Sequence, residues 1–159
     1  MARLTWDDYF LEITDRVGGR GTCDRGKAGA IIVVDKRIVA TGYVGAPSNL
    51  PHCDEAGHLM RDVIDENGKK SSHCIRTLHA EENAILQAAK HGVKLEGGAL
   101  YCKMTPCFNC AKKIVQVGIK RVVAQRRYHA DALSIDLFKE ADVQLEIVEN
   151  VFEEYEKGC

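Results

Sequence analysis

From Thr77 to Glu149 the chain alternates between two kinds of segment. One kind keeps helical spacing and the other is a short apolar run, and this alternation limits the folds open to it more than any other feature. Thr77 reads as an N-cap for a helix over 78–91, in which Ala80, Ala84, Ile85, Ala88 and Ala89 share one face and Gly92 is the stop. ALYCKM follows as a strand. Thr105 and Pro106 read as the N-cap and first residue of a second helix to about Val117, ended by Gly118. KRVVAQ is a strand, DALSIDLFKEA a helix and VQLEIVE a last strand, and the tail VFEEYEKGC reads as a short helix. Alternation of this kind implies a central sheet with helices on its faces.

Upstream, Thr5 caps a helix from Trp6 to about Val17, with Asp8 placed to reach back to it. The glycine-rich stretch GGRGTCDRGKAG is loop. AIIVVD and RIVATGY then form an antiparallel hairpin turning at Lys36 and Arg37. Residues 44–77, rich in Gly, Pro, Asn, His and Cys, read as one long irregular insertion, and such loops are functional or held by something. No repeat or linker divides the chain, so residues 1–159 read as a single domain.

A net charge of −1 excludes the basic footprint that long nucleic acids demand, while leaving room for a small anion held by a few local cations. No apolar run reaches membrane-spanning length, and MARLTWDDYF lacks the regions of a signal peptide. The expected location is the cytoplasm, where the 7 cysteines are better explained by metal ligation than by disulfides. Cys102 reads as a small core residue and Cys159 as an exposed terminal one.

Cys107 and Cys110 stand three apart at a helix start, where the helix dipole favours thiolates. His79 lies in the first turn of the preceding helix. If the two helices pack side by side, the three side chains converge, and three protein ligands leave a zinc ion one open position. Glu81 is turned about 200° around the helix from His79, so it suits proton transfer better than ligation. Taken alone, CxxC would fit a zinc ribbon or a redox pair, His79 a capping or core residue, and Glu81 a solvated one.

His79-Ala80-Glu81 followed by Pro106-Cys107-Phe108-Asn109-Cys110 matches the H-x-E…P-C-x-x-C signature of zinc deaminases. The chain resembles the cytidine/deoxycytidylate deaminase superfamily and, within it, the deoxycytidylate (dCMP) deaminase family. CDRGKAGAIIV, ATGYVGAP, LPHCDEAGH, HCIRTLHAEENAI, YCKMTPCFNCAKKIVQVGIKRVV and YHAD carry the likeness over roughly residues 20–150. LPHCDEAGH and HCIRTLHAE point to the dCMP branch.

The resemblance implies a three-layer α/β fold with a mixed five-stranded central sheet flanked by helices. It implies hydrolysis of dCMP to dUMP with release of ammonia, supplying dUMP for thymidylate synthesis. Glu81 would protonate N3 of the base and later the leaving amine, and the Ala80 backbone would meet the base edge. Arg25 and Lys27 are candidates for the phosphate, and Asn49 and Tyr128 for other substrate contacts. A second, structural zinc would use Cys23, Cys53 and Cys74 with His73, for which His52 or His58 could substitute. Family members associated with dCTP and dTTP control carry Gly-Tyr-Asn-Gly, whereas this chain has Gly42-Tyr43-Val44-Gly45. Val44 lacks the amide's hydrogen bonds, which argues against that control, although Tyr43 could still stack on an effector base. The family is commonly hexameric. CMP, dCTP or a modified cytosine nucleotide remain alternative substrates, and a non-catalytic zinc-stabilised adaptor is an alternative of another class.

Overall fold

Thr5 opens the first helix: its Oγ1 accepts the Asp8 N–H at 3.1 Å and donates to Asp8 Oδ2 at 2.6 Å. Helix α1 then runs Trp6–Gly18. The structure is a computed structural model and describes residues 2–65 and 67–154. Strands β1 (Gly29–Val34) and β2 (Arg37–Tyr43) form the expected antiparallel hairpin. Its turn lies one residue earlier than the sequence suggested, at Asp35 and Lys36, whose φ angles of 49° and 60° suit a tight two-residue hairpin turn.

The segment 44–77 is not irregular throughout. It contains a short helix α2 (Cys53–Ala56) and a separate hairpin of β3 (Met60–Ile64) and β4 (Lys70–Cys74). Asp65 organises the hairpin turn, its Oδ1 accepting the N–H groups of Asn67 and Lys69. β3 is largely open to solvent and β4 is half-buried, and neither carries an apolar alternation. Asn67-Gly68 was the readable signal.

Helix α3 (Ala80–His91), β5 (Ala99–Met104), α4 (Phe108–Gln116), β6 (Arg121–Arg126), α5 (Ala132–Glu140) and β7 (Gln144–Ile147) complete the alternation. The main sheet has the order β2-β1-β5-β6-β7, antiparallel up to β5 and parallel from β5 to β7. The fold is the mixed five-stranded, three-layer α/β arrangement. In β1, Ile31 and Val33 face Phe10 and Tyr101 under α1, while Ala30 and Ile32 join the core beneath α3 to α5. This is the two-residue period of a strand covered on both faces. Cys102 is wholly buried in that second core.

The helix starts differ from the expected ones. Neither Thr77 nor Thr105 is an N-cap: His79 caps α3 and Cys107 caps α4, each in extended backbone geometry. The tail also differs. Phe152 bridges to Arg127 as extended chain, with Arg127 N–H donating to the Val151 carbonyl and Glu153 N–H to the Arg127 carbonyl, both at 2.8 Å. The remainder of the expected tail helix, Cys159 included, lies outside the described residues. Among the described residues no helix is long and apolar enough to cross a membrane.

Gly42 sets how closely α3 lies on the sheet. A Cβ there would stand 2.2 Å from the Ala80 carbonyl oxygen and 2.4 Å from the Ala84 nitrogen, both backbone atoms of a helix that cannot yield locally. Gly42→Ala is expected to push the start of α3 outward and to destabilise the fold by about 2–3 kcal/mol, as overpacking does. Thermal unfolding of the variant checks this, and an unchanged midpoint would mean that α3 tolerates the displacement.

Candidate active site and metal centres

The ends of α3 and α4 bring three side chains to one point. His79 Nδ1 lies 3.4 Å from Cys107 Sγ and 3.5 Å from Cys110 Sγ. A tetrahedral ion with zinc–sulfur and zinc–nitrogen bonds of ordinary length would hold such atoms roughly 3.5 Å apart. The donor set and spacing therefore fit zinc, with one position left over. Because His79 and Cys107 are themselves the N-caps and Cys110 lies in the first turn of α4, all three ligands sit where the helix dipoles favour negative charge. A Lys113–Glu82 ion pair ties α4 to α3 just beyond the ligands.

The electrostatics are those of a site prepared for a cation. A hydrogen bond with the Cys110 thiol, helped by His79, holds Cys107 down at about 4. Cys110 is pushed well above the usual thiol range by that neighbouring thiolate and by burial. Cys107 raises His79 to about 9. Glu81 is 8% exposed, and burial pushes its carboxyl up to about 7. Among the described residues the ligand group is His79, Cys107 and Cys110, without Glu81.

A second group gathers Cys23, Cys53, Cys74 and His58. Cys53 Sγ and Cys74 Sγ are 3.6 Å apart, as are Cys23 Sγ and His58 Nδ1. The other ring nitrogen of His58 meets Asp24 Oδ1 at 3.0 Å, the arrangement that orients a metal-binding histidine. Three thiols and one imidazole at these spacings fit a closed structural zinc site. Burial pushes Cys53 up to about 12. Cys74 is held at about 7 despite burial, by backbone N–H groups of Arg76 and Leu59.

His73 does not join this group. It precedes Cys74 on β4, and successive strand residues point to opposite faces, so its Nε2 pairs with Ser71 Oγ at 2.8 Å instead. His52 is engaged by Thr22 Oγ1 at 3.0 Å and the Ala46 N–H at 3.3 Å.

The other candidates lie on the loop before β1, on β2, in the 44–77 segment, at the start of α3 and after β6. Arg25 reaches β4, its Nη2 donating to the Ser72 carbonyl at 3.3 Å. It lies with His129 and His79 in the field that, after burial, lowers the pKa of His73. Arg25, His73 and His129 thus lie together beside His79; from the sequence Arg25 was singled out for the phosphate and His73 as a metal ligand, whereas His129 was not singled out. Lys27 is exposed on the Arg25 loop. Ala80 is buried with its carbonyl over Gly42. Tyr128 is half-buried, its ring 4.3 Å from that of His129. Asn49 is exposed with a φ of 66°, which accounts for it as a turn residue. Tyr43 lines a groove of about 650 Å³ between β2 and α3, with Asn83, Gln87, Lys90 and His91.

The family model described as the cytidine and deoxycytidylate deaminase zinc-binding region matches residues 4–126. The chain belongs to the cytidine and deoxycytidylate deaminase family. Within that family it is 41% identical to ComE operon protein 2 of Bacillus subtilis over 149 residues, which is 94% of this chain and 74% of that protein. It is 38% identical to the deoxycytidylate deaminase of Schizosaccharomyces pombe, covering 90% of this chain but 44% of the yeast protein, so it spans less than half of that relative. The dCMP deaminase of cyanophage S-TIM5, solved in complex with dCMP and dUMP, superposes with a TM-score of 0.73 at 28% identity, covering 92% of this chain and 99% of the phage chain.

Proposed function

We propose that this deaminase-family chain hydrolyses dCMP to dUMP and ammonia. The observation that carries the reading is a nearly buried carboxyl, raised to about 7, beside a three-ligand zinc site with an open position. When bound, zinc acts as a Lewis acid that makes water a nucleophile near neutral pH. Glu81 accepts a proton from the attacking water and delivers it to N3 of the base as C4 is attacked, then takes up the proton of the new C4 hydroxyl and passes it to the departing 4-amino group. One water is consumed and one ammonia released. Burial suits Glu81 to both directions of transfer, because its affinity for a proton lies near the working pH.

Arg25, beside His73 and His129, supplies the positive charge that a nucleotide's phosphate needs and a nucleoside does not, and Lys27 lies on the same loop. Tyr128 walls the pocket, and the Ala80 backbone borders the base edge. The Cys23, Cys53, Cys74 and His58 group holds a structural zinc that ties the loop before β1 to the 44–77 segment. The same reading has residues 1–159 act as one domain, in the cytoplasm, as a homo-oligomer whose expected size is a hexamer.

The test is ammonia release from dCMP, CMP, deoxycytidine and dCTP by the purified protein, with and without added dCTP. Turnover of dCMP well above the others is expected, without need of dCTP, since Val44 replaces the asparagine of the regulated pattern. Preference for CMP or dCTP would reassign the substrate. Absence of turnover with all four would favour a modified cytosine nucleotide or an adaptor role.

A further inference from the structure

Two loops, one carrying a ligand of the first group, are joined by one buried carboxylate. The first loop, after β5, carries Thr105, Pro106 and Cys107. The second, after β6, carries Arg127, Tyr128, His129 and Asp131. Thr105 and Asp131 are 1% and 2% exposed. The Thr105 hydroxyl donates to Asp131 Oδ2 at 2.8 Å and accepts the Tyr128 N–H at 2.7 Å. Arg127 grips the same carboxylate with two bonds, Nε to Oδ2 at 3.0 Å and Nη2 to Oδ1 at 2.7 Å. The Thr105 N–H extends the β5–β6 pairing to the Arg126 carbonyl at 3.0 Å. Arg127 is held from its other side by the Phe152 ring, 4.7 Å away.

A buried charge is a poor way to gain stability, because desolvation offsets its attraction and apolar packing serves equally well. What a fully paired carboxylate does provide is a fixed geometry. Here it fixes two backbone points: one lies two residues before the Cys107 ligand, and the other is the N–H of Tyr128 itself. Among the described residues the side-chain hydrogen bonds of Thr105 and Asp131 run to each other, to Arg127 and to the Tyr128 N–H, and neither residue has a part in the proton transfers.

We propose that Asp131, acting through Thr105 and Arg127, is a positioning residue that sets Cys107 and the Tyr128–His129 wall in register across the reaction centre. The proposal rests on the deamination reading for its kinetic consequence, but its geometric consequence can be read without turnover.

The test uses Thr105→Val, Thr105→Ser and Asp131→Asn in the full-length protein, loaded with cobalt as a spectroscopic substitute and separately with zinc. Spectra are compared as variant-minus-wild-type differences, in which the unaltered second metal group cancels. In Thr105→Val the cobalt–thiolate bands are expected to shift and the metal to leave to a chelator about tenfold faster. In the zinc form, kcat for dCMP is expected to fall about tenfold with a smaller change in KM. Thr105→Ser, which keeps the hydroxyl, is expected to restore all three, and Asp131→Asn to follow Thr105→Val.

Wild-type spectra and chelator rates in Thr105→Val would overturn the proposal. So would a Thr105→Ser variant as impaired as Thr105→Val, because the lost methyl packing would then be the cause. If Asp131→Asn fails to fold, the Thr105 pair still decides. If the wild type turns over none of the nucleotides, the deamination reading fails while the cobalt spectra still test the positioning.

Discussion

Replacing Glu81 with glutamine is expected to leave a folded protein with unchanged zinc content and to lower ammonia release from dCMP by about 10²–10⁴-fold. Glutamine keeps the size of the side chain and some of its hydrogen bonding but cannot take up or release a proton. Glu81 lies in the first turn of α3, and the ligand group closes without it. Its loss therefore leaves the site able to hold metal. Glu81 must be ionised to accept the first proton, so in the wild type kcat rises with pH through the carboxyl's pKa and then levels off. Without the ion that value is about 7, raised chiefly by burial and opposed by His79. The ion's positive charge favours the carboxylate and moves the acidic limb below this value in the loaded protein. The glutamine variant should lack that limb. Elemental analysis, circular dichroism and a pH series of ammonia assays make the measurement. A variant that loses zinc or unfolds would show that Glu81 serves the structure instead.

Cys53→Ser is expected to have the largest effect on stability. It removes a thiolate from the middle of the second metal group, where three cysteines and His58 join the loop before β1, helix α2, the chain just after it and strand β4. In the β3–β4 hairpin β3 is largely exposed and β4 half-buried, and of its residues Cys74 packs against the main core. Zinc content should fall from two ions per chain to one, and the unfolding midpoint by about 10 °C, the shift that a loss of several kcal/mol produces in a domain of this size. Protease should then cut between Val44 and Leu78 while the rest of the chain resists. A wild-type protein carrying one zinc, or a variant with an unchanged midpoint, would mean that these thiols are merely packed together.

The legible parts of this fold were those whose burial imposes a pattern. α1, the first hairpin and the β5 to β7 alternation each bury a face, so their apolar residues recur with the period of the element. The β3–β4 hairpin, largely exposed on β3 and half-buried on β4, has no fully buried face, and only Asn67-Gly68 marked it. That miss hid another: without β4 as a strand, nothing indicated that His73 and Cys74 point apart, and so His58 rather than His73 completes the cysteine group. The helix starts were misplaced for a chemical reason. Thr77 and Thr105 are good capping residues, but the ligands His79 and Cys107 occupy the capping positions themselves. Thr105 is used elsewhere, as a buried partner of Asp131, and such a bond across two loops leaves no trace in local spacing. The group His79, Glu81, Cys107 and Cys110, proposed to carry the chemistry, was readable because each pair lies within one helical turn.

The two ligand sets do not interleave along the chain. One closes before the other begins: Cys23 to Cys74, then His79 to Cys110. Each set, once it held an ion, would therefore seal its own loop of polypeptide. The upstream loop takes in β1 and β2 of the main sheet, and the downstream loop takes in α3 and β5. The two metals would stand in series along the chain, so that a ligand can be lost from one ring without removing a ligand of the other.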